Sequence, residues 1–195
     1  MDVSTSVTIG SLILLNKFNC MKYTFFIKDK SVNLLKIVLV IIISLYMYHY
    51  LTNLSDWYFV DNINLIFHEA GHIVFIFFGD FIRTLGGTLM QILIPTIFSF
   101  YFYKNEDYFS ASLLLFWLSQ NLFNISIYAG DAIRMELPLL GGDNVYHDWN
   151  HLLSYVNLLK YTDHISSFFY IAGIIIFILA VVYSIRSSIS DRIVE

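Results

Sequence analysis

The chain has 195 residues, 57% of them hydrophobic and 13% charged, with 18 Phe and 14 Tyr. Soluble domains run at about 25% charged residues, so this chain lacks the charge to cover itself in water and suits a bundle of membrane helices. A net charge of -4 without a basic face excludes a nucleic-acid binder, and one cysteine, Cys20, excludes an intramolecular disulfide and a multi-cysteine metal site.

Residues 1 to 33 form a mixed N-terminal segment, expected at the cytoplasmic side or the interface. Val7 to Phe18 is apolar but short for a span, and Tyr23 to Ile27 has the aromatic, β-branched character of a short strand or hairpin. The start, MDVSTSV, lacks an early base and a clear cleavage site, so the first true span is expected to act as an uncleaved anchor. That span is Leu34 to Leu51, with Tyr46, Tyr48, Tyr50, Trp57 and Tyr58 marking an interfacial aromatic belt at its end.

The second expected span, 60 to 79, carries the chemistry. His68, Glu69 and His72 form an HExxH pattern, which puts two imidazoles at i and i+4 on one helix face with a carboxylate beside them. Ionisable groups in an apolar helix cost several kcal/mol unless paired, hydrated or bound to metal. Asn64 lies one turn earlier on the same face, and Gly71 and Gly79 leave room for a neighbouring helix.

The third span is expected at 85 to 103, with Gly86 and Gly87 at its mouth and Pro95 bending it. The fourth, Phe109 to Tyr128, ends in a polar stripe. Gln120, Asn124, Tyr128 and Asp131 recur every three or four residues and share a face, with Asn121 on the flank. Residues 131 to 160 read as a polar loop and amphipathic helix that complete the site. Pro138 and Gly141-Gly142 break the chain there, and Asp143, His147, Asp148 and His151 follow. The last span is expected at 166 to 183, with Ser187 to Glu195 as a polar tail.

The fold class expected is all-α: one integral membrane domain over 1 to 195, a polytopic transmembrane helical bundle of about five spans, six if the N-terminal segment inserts. With five spans, Lys17, Lys22, Lys28, Lys30, Lys36, Arg83, Arg134 and Lys160 share the N-terminal side, whereas Lys104, Arg186 and Arg192 lie opposite. That bias predicts a cytoplasmic N-terminus and an external C-terminus.

Two neutral imidazoles at HExxH spacing bind Zn²⁺, one ion per chain, and the glutamate serves as general base. A hydrolytic zinc site needs a third protein ligand. Asp131 and Asp148 lead, with His147, His151 and Asp143 as alternative ligands or supports. Asn124 is a candidate for positioning substrate or steadying the tetrahedral intermediate.

HEAGH in an apolar helix, the following Gly-Gly and a later polar segment resemble the site-2 protease superfamily of intramembrane zinc metalloproteases. In that superfamily a later span supplies an aspartate ligand within a motif of asparagine, prolines, aspartate and glycine. Here Asn121 or Asn124 precedes Asp131, and Leu137-Pro138-Leu139-Leu140-Gly141-Gly142-Asp143 is similar to its Pro-Leu-Asp-Gly-Gly, with Leu140 where aspartate would fall. The chain also resembles a group of small bacterial membrane proteins sharing HEAGH, a downstream LGG and an HDW motif. The first likeness implies hydrolysis of a peptide bond in or near a membrane-spanning substrate, with lipids and a membrane protein or peptide as partners; the second implies a bacterial inner membrane and brings no activity of its own. The rival readings are a zinc-binding membrane scaffold without proteolysis, and a transporter. A transporter requires an ionisable path through several spans, which the first and last spans lack.

Overall fold

The computed structural model describes residues 24–27, 30–54, 56–138 and 146–191. Cys20, Leu140, Gly141, Gly142, Asp143 and the Val7 to Phe18 segment lie outside the described residues.

Helices dominate. They are α1 (Leu34–Thr52), α2 (Phe59–Val74), α3 (Asp80–Lys104), α4 (Tyr108–Gly130), α5 (Asp148–Tyr155) and α6 (Thr162–Ser187), with 3₁₀ turns at Ile76–Phe78 and Leu159–Tyr161. Among the described residues, three stretches are long and apolar enough to cross a membrane: Leu34–Thr52, Asp80–Lys104 and Leu159–Ser187. These apolar helices support an integral membrane protein.

The sequence expectation differs from this arrangement in four places. The HExxH helix has 16 residues and rises only about 24 Å, short of the roughly 30 Å hydrocarbon layer. Gly86 and Gly87 lie inside α3 rather than at its mouth, because that helix begins at Asp80 and continues through Pro95 to Lys104. The amphipathic helix expected after residue 147 is eight residues long. Finally, the tail is not only a tail. Ile189–Asp191 forms β3, which pairs antiparallel with β2 (Lys30–Asn33), itself paired with β1 (Thr24–Ile27). The β1–β2 hairpin fits the short strand or hairpin expected at Tyr23 to Ile27, and its pairing with the tail is the addition to the all-α expectation.

The sheet joins the start of α1 to the end of α6. Asn33 N–H donates to Ser188 O at 2.9 Å, and the Asn33 side chain caps α1 by accepting from Lys36 N. An odd number of passes would put Asn33 and Ser188 at opposite ends of the bundle; instead they touch. The expected external C-terminal end of the last helix therefore does not hold relative to the start of the first.

α4 is the central element. Phe109, Phe116 and Phe123 pack against Val40, Met47 and Tyr50 of α1 and Ala180 of α6. Its far end joins a second cluster, Ile125, Ala129 and Ala132 against Trp149 and Leu153 of α5. Packing here holds the short α5 beside the HExxH helix.

Candidate metal centre

α2 turns one face inward at i, i+3, i+7 and i+10: Asp61, Asn64, His68 and Gly71 are all buried. The face is seated by glycines on both partners. A Cβ on Gly71 would collide with the Gly86 backbone, and one on Gly87 would lie 2.5 Å from the His68 ring. Small residues thus let α2 and α3 approach until the imidazole rests on bare backbone.

His68 Nε2 lies 2.8 Å and His72 Nε2 3.2 Å from the same atom, Asp148 Oδ2. Among the described residues these three side chains form a group able to hold a metal ion, their ligand atoms all within 4.8 Å of one another. Each imidazole is also held from behind. His68 Nδ1 lies 3.0 Å from Gln91 Oε1, and His72 Nδ1 lies 2.9 Å from the Arg83 carbonyl oxygen. Both partners are acceptors, so each Nδ1 carries a proton, and a neutral ring then points its Nε2 lone pair forward. Two lone pairs and a carboxylate oxygen converge on one point. Such a donor set repels itself unless protons or a metal ion sit within it, and it matches the preference of zinc for imidazole and carboxylate.

Asp148 starts α5, where His147 Nδ1 accepts from Asn150 N. The Tyr128 hydroxyl accepts from Asp148 N at 3.1 Å. Burial works against the charged carboxyl, yet hydrogen bonds from His68 and His72, formed when protons rather than a metal ion occupy their Nε2 atoms, hold Asp148 down at about 2. A full carboxylate faces the two rings at neutral pH.

Asp131 is not brought to this group. Its carboxylate accepts from Glu136 N and Leu137 N at 3.1 and 2.9 Å and so closes the loop after α4. His147 Nε2 sits 3.3 Å from Asp131 Oδ2, at an angle short of a hydrogen bond. Burial pushes the His147 imidazole down despite that neighbouring carboxylate, leaving it neutral. His151 pairs with Asp80 at 3.1 Å on the rim. Asn124 is engaged within the protein, accepting from Gln91 Nε2 at 3.0 Å and donating to Asp61 Oδ1 at 3.2 Å. Of the polar stripe on α4, Gln120 and Asn124 meet α2, Tyr128 meets α5, and Asp131 meets its own loop.

A cavity of about 830 Å³ opens over the group, lined by Glu69, His68, His72 and Asp148 together with apolar Leu54, Leu65, Ile73, Ile76, Ile127 and Pro138. Glu69 is exposed on its wall. Gln91 and Asp61 were not singled out from sequence. A lone amide inside an apolar helix was the available signal for Gln91; for Asp61 it was the helical spacing to Asn64 and His68.

No protein-family model, curated protein or solved structure matches the chain. The likeness to the site-2 proteases rests on its residues alone.

Proposed function

We propose that this protein is a zinc-dependent membrane protease that hydrolyses a peptide bond in or near a membrane-spanning substrate. The observation that carries the reading is the convergence of His68 Nε2, His72 Nε2 and Asp148 Oδ2, with both Nδ1 atoms already occupied. In this reading His68, His72 and Asp148 hold one zinc ion per chain, with Asp148 rather than Asp131 as third ligand. Bound zinc supplies an electrophile and a nucleophile near neutral pH, so no serine or cysteine is needed. Glu69, on the cavity wall, accepts a proton from the attacking water and returns it to the leaving amine nitrogen.

α2 belongs to the membrane in this reading, although it is too short to cross. Its outward face and the following turn expose Phe59, Ile66, Ile73, Ile76, Phe77 and Phe78, an apolar surface suited to lipid and costly in water. Both ends of α2 line the same cavity as the end of α1 and the start of α3, the pattern of a helix that enters from one side and returns. α1, α3, α4 and α6 then make four passes. The wall of the cavity is mostly apolar, which suits a segment drawn from a membrane-spanning chain.

Replacing Glu69 by Gln tests the assignment. E69Q retains zinc and loses turnover of a membrane-embedded peptide by roughly 10²-fold or more, the scale of a general base. Undiminished cleavage by E69Q would reject the mechanism; a wild-type protein that binds zinc but cleaves nothing would leave a zinc-bound scaffold.

A further inference from the structure

Behind His68 runs a chain of buried and half-buried side chains that all point one way. His68 Nδ1 meets Gln91 Oε1 at 3.0 Å; Gln91 Nε2 donates to Asn124 Oδ1 at 3.0 Å; Asn124 Nδ2 donates to Asp61 Oδ1 at 3.2 Å. The chain ends on a carboxylate that is 2% exposed. Asp61 also accepts from Gln120 Nε2 at 2.7 Å, from the Tyr50 hydroxyl at 3.4 Å and, on Oδ2, from Tyr58 N at 2.8 Å. Four donors on one buried carboxylate make it an acceptor and nothing else.

That terminus dictates the sense of every amide before it. Asn124 must present its NH₂ to Asp61, so its oxygen faces Gln91. Gln91 must then present its NH₂ to Asn124, so its oxygen faces His68. An oxygen at that position takes the proton of Nδ1 and leaves the Nε2 lone pair for the metal. Reversing any amide would set donor against donor, or oxygen against oxygen, and leave the desolvation of each unsatisfied group uncompensated.

We infer that Asp61, Asn124 and Gln91 are positioning residues that fix His68 in its metal-binding tautomer, with the Asp61 charge setting the direction of the relay. This rests on the zinc reading given above. Asn124, half-buried on the cavity wall, accordingly acts through His68. The relay also draws on three helices besides α2: Tyr50 from α1, Gln91 from α3, and Asn124 and Gln120 from α4. Zinc affinity is thereby tied to the assembly of the bundle.

The test is zinc affinity of the detergent-purified full chain, by competition with a chromophoric chelator, beside the visible spectrum of the Co²⁺-loaded protein. Q91L removes the acceptor and weakens zinc by roughly 10- to 100-fold, the usual effect of losing a partner behind a ligating histidine. N124A keeps the Gln91 oxygen but releases its orientation, and weakens zinc by a smaller factor. Q91E in its protonated form offers His68 the carbonyl oxygen and Asn124 Oδ1 the hydroxyl proton; it keeps affinity closer to wild type than Q91L does, with the wild-type Co²⁺ spectrum. Helix content and elution volume of the metal-free variants show whether each folds, and Q91E and N124A carry the test if Q91L does not. Wild-type affinity in Q91L or N124A, or a Q91E loss as deep as that of Q91L, would overturn the relay and leave these residues as packing. A wild-type chain that takes up no zinc would instead overturn the metal reading itself.

Discussion

At the residue scale the site is a matter of which nitrogen faces which way. His68 and His72 sit at i and i+4, and both aim Nε2 at Asp148 Oδ2. Their spacing made the pair legible in the sequence, because a helix repeat alone puts two such rings on one face. The third partner was not legible to the same degree. Asp148 stands 80 residues from His68, and nothing local separates it from Asp131, which also ends a polar face. What separates them is the backbone around each. Asp131 is occupied by Glu136 N and Leu137 N, while Asp148 is presented from a helix start anchored by Tyr128. D131A should therefore keep its zinc but lose about 1–3 kcal/mol of stability, since it strands two loop amides; thermal unfolding in detergent and metal analysis of the same sample check both halves.

At the element scale the approach of α2 to α3 governs the site. Gly87 leaves room for the His68 ring and for nothing more. G87A should cost about 1–3 kcal/mol through overpacking and should also expel His68 from its seat, with loss of zinc. Gly173 on α6 is the control, because a Cβ there would lie 2.6 Å from the Phe123 ring, away from the metal group. G173A should lose stability on a similar scale and retain zinc, and equal zinc retention by the two variants would count against the seating role of Gly87. Helix existence was readable from apolar runs, and four of the expected spans match helices within a few residues, except that α3 begins earlier. The short length of α2 was not readable. The apolar stretch from 60 to 79 containing HEAGH looks like a span by composition, whereas its α-helix ends at Val74.

At the scale of the whole molecule, the sheet decides the sidedness. Pairing of β2 with β3 joins segments about 160 residues apart in the chain, which no local pattern announces. With Asn33 and Ser188 together, Lys36, Lys104 and Arg186 gather at one end of the bundle, and Arg83, Arg134 and Lys160 at the end that bears the cavity. Lys30, in β2, joins the first group, so the two ends carry four and three of the described cations, and the pairing puts the metal centre at the end opposite the sheet. Single cysteines introduced at Trp57 and Tyr146, both on the cavity, in a Cys20→Ser background should react with an impermeant thiol reagent from the same side of the membrane, and one at Glu106 from the other side. Labelling of all three from one side would contradict the arrangement.

Zinc content per chain in wild type and in the H68A, D148A and D131A variants, purified in detergent without chelator and with zinc supplied, tests the central claim most directly. The account predicts about one zinc in wild type and D131A, as a three-ligand site requires, and its loss in H68A and D148A. A wild-type chain free of zinc, or a D148A variant that holds the metal as firmly as wild type, would contradict it.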